Sequence, residues 1–140
     1  MFIATLLIAA IWVGLVPQTA ETRVTNAYLV PTCVNGRPVK PSDRGWTFSG
    51  RTSLVFTMRN APNSRMVTRD PGLALIAFTP EPGHKYEIEV RADGSAFSQR
   101  VWERGKWTPV VRDRTLEGSP DGPDRIVSGD PTWISAGCEK

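Results

Sequence analysis

Few side chains in this 140-residue chain could do chemistry, and their spacing decides among the uses open to them. His84 is the single histidine, and it follows Pro82-Gly83 at the head of an alternating segment, Tyr86-Glu87-Ile88-Glu89-Val90. A general base needs a nucleophile within hydrogen-bond reach, and no Ser or Cys motif lies nearby. His84 therefore reads as a turn or surface residue. Glu87 and Glu89 share one face of that segment, about 7 Å apart by strand rise. Paired carboxylates cleave glycosides when they flank a bond in a cleft, but these two alternate with apolar residues as a solvated strand face does. With Asp113 they are the only material for a hydrolase, and no catalytic residue is assigned.

Glu117, Asp121, Asp124 and Asp130 surround a Gly/Pro loop. Hard cations take such oxygens, yet the spacing departs from the calcium-loop pattern and fits ordinary turn chemistry. With neither a second histidine nor a cysteine cluster, no metal and no cofactor is expected.

The two cysteines, Cys33 and Cys138, lack the CxxC spacing of a metal or redox site. In an oxidising compartment they would join the first and last strands as a disulfide; two free buried thiols are the alternative. The N-terminus points to such a compartment. Residues 2–16, FIATLLIAAIWVGLV, are apolar and uncharged, Pro17 ends the run, and Ala20 offers a small residue for cleavage. A helix of that length spans roughly 22 Å, short of the ~30 Å hydrocarbon core, which suits a signal peptide over 1–20 and a single mature domain over 21–140. No Lys or Arg precedes the run, and Gln18 stands where a small residue is preferred, so an uncleaved anchor over 2–16 and a buried core segment stay open. The expected location is the periplasm or the extracellular space, with membrane contact only through that segment.

The net charge of +3 is unevenly spread. Between residues 37 and 69 Asp43 is the only acid among seven Lys and Arg, whereas residues 70–140 hold nine bases and twelve acids. Arg44, Arg51, Arg59, Arg65 and Arg69 are thus a candidate surface for an acidic protein partner; interleaved surface charge is the plainer alternative. Of five tryptophans, Trp46, Trp102 and Trp107 are candidate ligand aromatics, and the same residues could fill a small core. Nucleic acid is not expected of an exported chain with so modest a charge.

The elements that would carry these residues are short strands. Leu73–Phe78 and the Tyr86-led segment read as a hairpin across Thr79–His84. Residues 22–32 read as a first or edge strand, Trp46–Phe48 and Thr52–Met58 as further strands, and Asn35-Gly36 as a tight turn. Residues 96–103 and 106–111 read as a second hairpin around Arg104-Gly105, with Glu103 opposite Lys106 and Trp102 opposite Trp107. Ile126–Ser128 and Thr132–Ile134 complete an all-β chain: an antiparallel sandwich or barrel of about seven short strands.

The run Phe78-Thr-Pro-Glu-Pro-Gly83-His84-Lys-Tyr86, with Trp107–Arg114 and Ile126–Gly129, resembles small exported, lipoprotein-like bacterial envelope proteins. The resemblance spans residues 73–129, and the chain lacks their acylation cysteine. It implies a β-sandwich envelope protein and transfers no functional residue. The expected function is non-catalytic binding of a protein partner, with a small-ligand or glycan binder as the alternative.

Overall fold

The computed structural model describes residues 18–60, 65, 67–94, 96, 100–115 and 125–138. Most of the expected signal segment, and Glu117, Asp121 and Asp124, lie outside the described residues. The strands in chain order are β1 (Ala20–Val24), β2 (Leu29–Val34), β3 (Arg37–Pro38), β4 (Gly45–Phe48), β5 (Thr52–Met58) and β6 (Val67–Thr68). They continue as β7 (Leu73–Phe78), β8 (Lys85–Ala92), β9 (Val101–Trp102), β10 (Trp107–Asp113), β11 (Arg125–Ile126) and β12 (Thr132–Ile134). The described residues thus form twelve strands rather than about seven, because several loops read from the sequence contribute two-residue strands.

They form a first sheet in the order β11-β10-β8-β1-β4, a second in the order β12-β7-β5-β2-β3, and a small pair β6-β9. Neither large sheet closes on itself, so the barrel alternative falls. The architecture is also not purely antiparallel: β1 runs parallel to β8, and β6 to β9.

The Leu73–Arg91 hairpin is corrected. β7 belongs to the second sheet and β8 to the first. A connection of six residues with two prolines does not make the tight turn that keeps two strands laterally paired; it carries the chain across the core instead. Pro80 is buried in that crossover, and Gly83 takes φ 81°. Phe78 and Tyr86 then meet edge to face, 5.3 Å apart, from opposite sheets. The alternation of β8 is as expected: Tyr86 and Ile88 are buried and Glu87 and Glu89 lie on the outer face.

Residues 22–32 likewise divide between the sheets. Asn26 Oδ1 accepts the Tyr28 N–H at 2.8 Å, a local turn that stops β1 and redirects the chain into β2. β1 is consequently an interior strand, between β8 and β4. Asn35 and Gly36, at φ 50° and 77°, make the expected tight turn from β2 to β3.

The 96–103/106–111 hairpin is the third correction. The turn forms, with the Lys106 N–H donating to Glu103 O at 3.0 Å and the side chains paired at 3.2 Å. The flanking strands then separate, β9 to β6 and β10 to β8. Trp102 packs near Tyr28, and Trp107 lies edge to face with Trp133 at 5.1 Å. Two large indoles gain more from burial in a shared core than from facing one another across a two-residue turn.

One core, built from Leu54, Phe56, Ile76, Phe78, Tyr86, Ile88, Trp107 and Val111 among others, is filled by both sheets. A smaller apolar cluster, Cys33, Val55 and Ile134 with Leu73 and Leu75, covers the outer face of the second sheet. This is why β7 is apolar on both faces. The Cys33–Cys138 disulfide lies within that cluster and ties β2 to the segment after β12.

Candidate functional site

The outer face of the first sheet is where charge is organised. Strand alternation puts Glu21 and Arg23 of β1 and Lys85, Glu87 and Glu89 of β8 on that face. Arg112 and Arg114 reach it from the end of β10. Glu87 accepts from Arg23 at 2.9 Å and from Arg114 at 3.2 Å; Glu89 accepts from Arg114 at 2.7 Å and from Arg112 at 2.8 Å. The carboxylates thus alternate with guanidinium groups across three strands. The Arg23 hydrogen bond holds Glu87 below the ordinary carboxylate value, with Arg114 adding to it against the opposing effect of burial. Each carboxylate is thus held by two guanidinium groups, and the pair lies on an open strand face.

Beside this ladder, over β4, β1 and β8, lies a groove of about 790 Å³. Glu21, Arg23, Thr47, Lys85 and Arg114 are among its lining residues, and on the β4 side Gly45 contributes no side chain next to Arg23. Lys85 and Glu21 bring charged ends to the groove that make no ion pair with a described residue. The indole of Trp46 is half-buried and stacks on Phe48 with centroids 6.1 Å apart.

A second cluster lies at the end of β8. His84 Nδ1 is 2.8 Å from Asp113 Oδ2, and Nε2 is 3.2 Å from Glu81 Oε2. The ring stacks on Tyr86, whose Oη accepts the Glu81 N–H at 2.8 Å. Asp113 is only 9% exposed, and its other oxygen accepts both the Thr115 hydroxyl and the Thr115 N–H. The ligand atoms of Glu81, His84 and Asp113 lie within 4.8 Å of one another and are the residues that could hold a divalent cation. The Arg125 guanidinium, 3.4 Å from Asp113 and 3.9 Å from Glu81, already supplies positive charge there. The arrangement orients an imidazole, and no Ser, Thr or Cys hydroxyl or thiol is paired with it among the described residues.

Burial works to raise the Asp113 pKa, but the Thr115 hydrogen bonds and then His84 outweigh it and bring it below the ordinary 3.8. A carboxyl depressed on folding contributes stability that is present above its unfolded value and lost as pH falls through the folded one. Glu87 acts in the same sense below its ordinary 4.5. Unfolding in urea should therefore be level near neutrality and lose midpoint below about pH 4. Asp113→Asn should start lower and fall less steeply with acid; a slope equal to the wild type's would contradict the assignment.

The sequence-derived candidates are dispersed. Arg44 donates to Leu29 O at 2.6 Å and Asn26 O at 2.5 Å, and Arg59 donates to Ala27 O at 3.0 Å, so both brace the β1–β2 connection. Arg69 is exposed, 3.9 Å from Glu103, and Arg65 is exposed within the β5–β6 connection. Arg51 and Arg59 flank opposite ends of β5, about 26 Å apart by strand rise. The five arginines therefore do not make one patch. Trp102 and Trp107 are 3% and 1% exposed, which withdraws them from any ligand platform and leaves Trp46.

The chain matches no protein-family model, no curated protein and no solved structure. The site is accordingly read from its own geometry. Sequence reasoning missed the His84–Asp113 contact and the groove beside Gly45. His84 and Asp113 are 29 residues apart, and only the β8–β10 pairing, Tyr86 opposite Asp113, brings them together. The alternation of Glu87 and Glu89 was the available signal for the ladder, but their arginine partners come from other strands.

Proposed function

We infer that this chain is an exported, non-catalytic interaction module of the cell envelope, which recognises a protein partner through the outer face of its first sheet. The apolar N-terminal run and the disulfide support export to an oxidising compartment. The observation that carries the reading is the groove over β4, β1 and β8, with charged ends at Lys85 and Glu21 and a pre-set arginine–glutamate ladder beside it. Fixed charge of both signs favours selection of a complementary surface and fast association over enclosure of a small molecule. The second reading, a glycan stacked on one indole, rests on Trp46 alone, which is half-buried and packs with Phe48 against the core side of β4.

The test is copurification of the C-terminally tagged full chain from the envelope of its own host. Lys85 makes no side-chain ion pair with a described residue, so Lys85→Glu should leave the fold intact and cut recovery of a stoichiometric protein partner by about fivefold or more. Absence of any protein partner, with glycan binding that Trp46→Phe weakens, would replace this reading with the second.

A further inference from the structure

Four strands lie at the edges of the two large sheets: β3, β4, β11 and β12. β3 and β11 have two residues each, β3 includes a proline with no N–H to donate, and β12 has three residues. β4 is the longest, with four. Its backbone orientation follows from one hydrogen bond. The Val24 N–H donates to Arg44 O at 2.7 Å, which makes that opposed pair a hydrogen-bonded one. Antiparallel ladders alternate, so Thr22 and Trp46 form the next hydrogen-bonded pair, and the pairs Glu21–Thr47 and Arg23–Gly45 are not hydrogen-bonded. The N–H and C=O groups of Gly45 and Thr47 therefore point away from the sheet, and among the described residues no backbone group pairs with them.

Side chains over the same face supply the second half of the argument. In register across the sheet lie Gly45, Arg23, Glu87 and Arg112. Read from the far side, the charges run positive, negative, positive, and then stop at a residue with no side chain. The Arg23 side chain is 70% exposed beside that gap. A guanidinium carries five N–H donors and can serve more than one carboxylate. An acidic side chain arriving opposite Gly45 would continue the alternation.

We propose that β4 is a docking edge for an extended acidic segment of the partner protein, which adds as a further strand through Gly45 and Thr47 and places a Glu or Asp over Gly45 against Arg23. This rests on the interaction-module reading and specifies the partner's chemistry. Main-chain bonds give such strand addition its affinity, and alternate side chains give it selectivity. The short length of β4 limits indiscriminate edge pairing, and Arg23 supplies the choice of sequence.

The test uses the isotopically labelled protein with two synthetic peptides, Thr-Val-Thr-Val-Glu-Val-Thr and the same sequence with Lys for Glu. The acidic peptide should bind about tenfold more tightly or better, and it should slow amide exchange at Gly45 and Thr47. A Cβ at Gly45 would meet only ordinary contacts, 3.5 Å to Thr22 O and 3.7 Å to Arg23 Cβ, and Gly45 does not need a positive φ, so substitutions there should fold. Gly45→Glu supplies the missing acid from within and should weaken acidic-peptide binding about tenfold, whereas Gly45→Ala should change it less than threefold. Equal affinity for both peptides, or binding that leaves Gly45 and Thr47 exchange unchanged, overturns the proposal. If the full chain still captures a partner that Lys85→Glu releases and Gly45→Glu does not, the docking edge is wrong and the interaction module stands. If no protein partner is captured and neither peptide binds, both fall.

Discussion

Replacing both Cys33 and Cys138 with serine should lower the unfolding free energy by about 2–5 kcal/mol, the range for long native bridges, with a chain-entropy value near 4.7 for a loop of this size. The cysteines are 105 residues apart, and the bond closes nearly all of the described chain. Its main effect in that model is on the unfolded ensemble, which without the bond gains the freedom of the whole loop. Cys33 is also 3% exposed within the cluster that covers the outer face of the second sheet. Urea denaturation of the wild type with and without reductant, alongside the double serine variant, separates these contributions. Reduction should account for most of the loss, and the serine hydroxyls should add a smaller further decrease. A midpoint unchanged by reductant would show that the bond contributes nothing to stability. A midpoint lowered in the variant but not by reduction would place the effect in packing.

The second large effect is expected at Trp107. Its indole is 1% exposed, donates through Nε1 to Pro71 O at 2.9 Å and lies edge to face with Trp133. Trp107→Ala should cost about 3–5 kcal/mol, the range for large-to-small changes of buried aromatics. Trp107→Phe keeps most of the apolar surface and leaves the Pro71 carbonyl without its donor, so about 1–3 kcal/mol is expected. Trp46→Phe, at a half-buried position on edge strand β4, should cost less than about 1.5 kcal/mol. Denaturant midpoints for the three variants provide the check. If Trp107→Ala were tolerated like Trp46→Phe, Trp107 would return to the list of ligand aromatics, because a core indole cannot be removed at so small a cost.

The cysteine pair and Trp107 show how differently the sequence speaks about covalent and packing roles. The pairing of Cys33 with Cys138 was legible because only one intrachain partner exists for each and the N-terminal run indicates an oxidising compartment. The direction of Trp107 was not. The Arg104-Gly105 turn forms, with Gly105 at φ 84°, yet the strands on either side of it join different sheets. A turn constrains four residues, whereas strand pairing is decided by which apolar faces must be covered. The same holds for Phe78 and Tyr86, neighbours across the core rather than along a sheet.

The candidate site divides in the same way. Alternation along β8 was sufficient to place Glu87 and Glu89 on one face, because the side-chain period of a strand is local. That each carboxylate is held by two arginines could not be read, since those arginines lie on β1 and at the end of β10. The basic stretch from Arg37 to Arg69 has no such local rule, since β5 carries Arg51 and Arg59 to its opposite ends. Residue type and local spacing are enough to specify an all-β chain of short strands, the Asn35-Gly36 turn, the alternating face of β8 and the cysteine pair. Which strands share a sheet, that β1 runs parallel to β8, that His84 meets Asp113, and that Gly45 leaves a gap beside Arg23 on an open edge are features of the assembled fold. Those depend on contacts between residues far apart in the chain, whose free energy comes from burying two sheets against one another and not from any local preference.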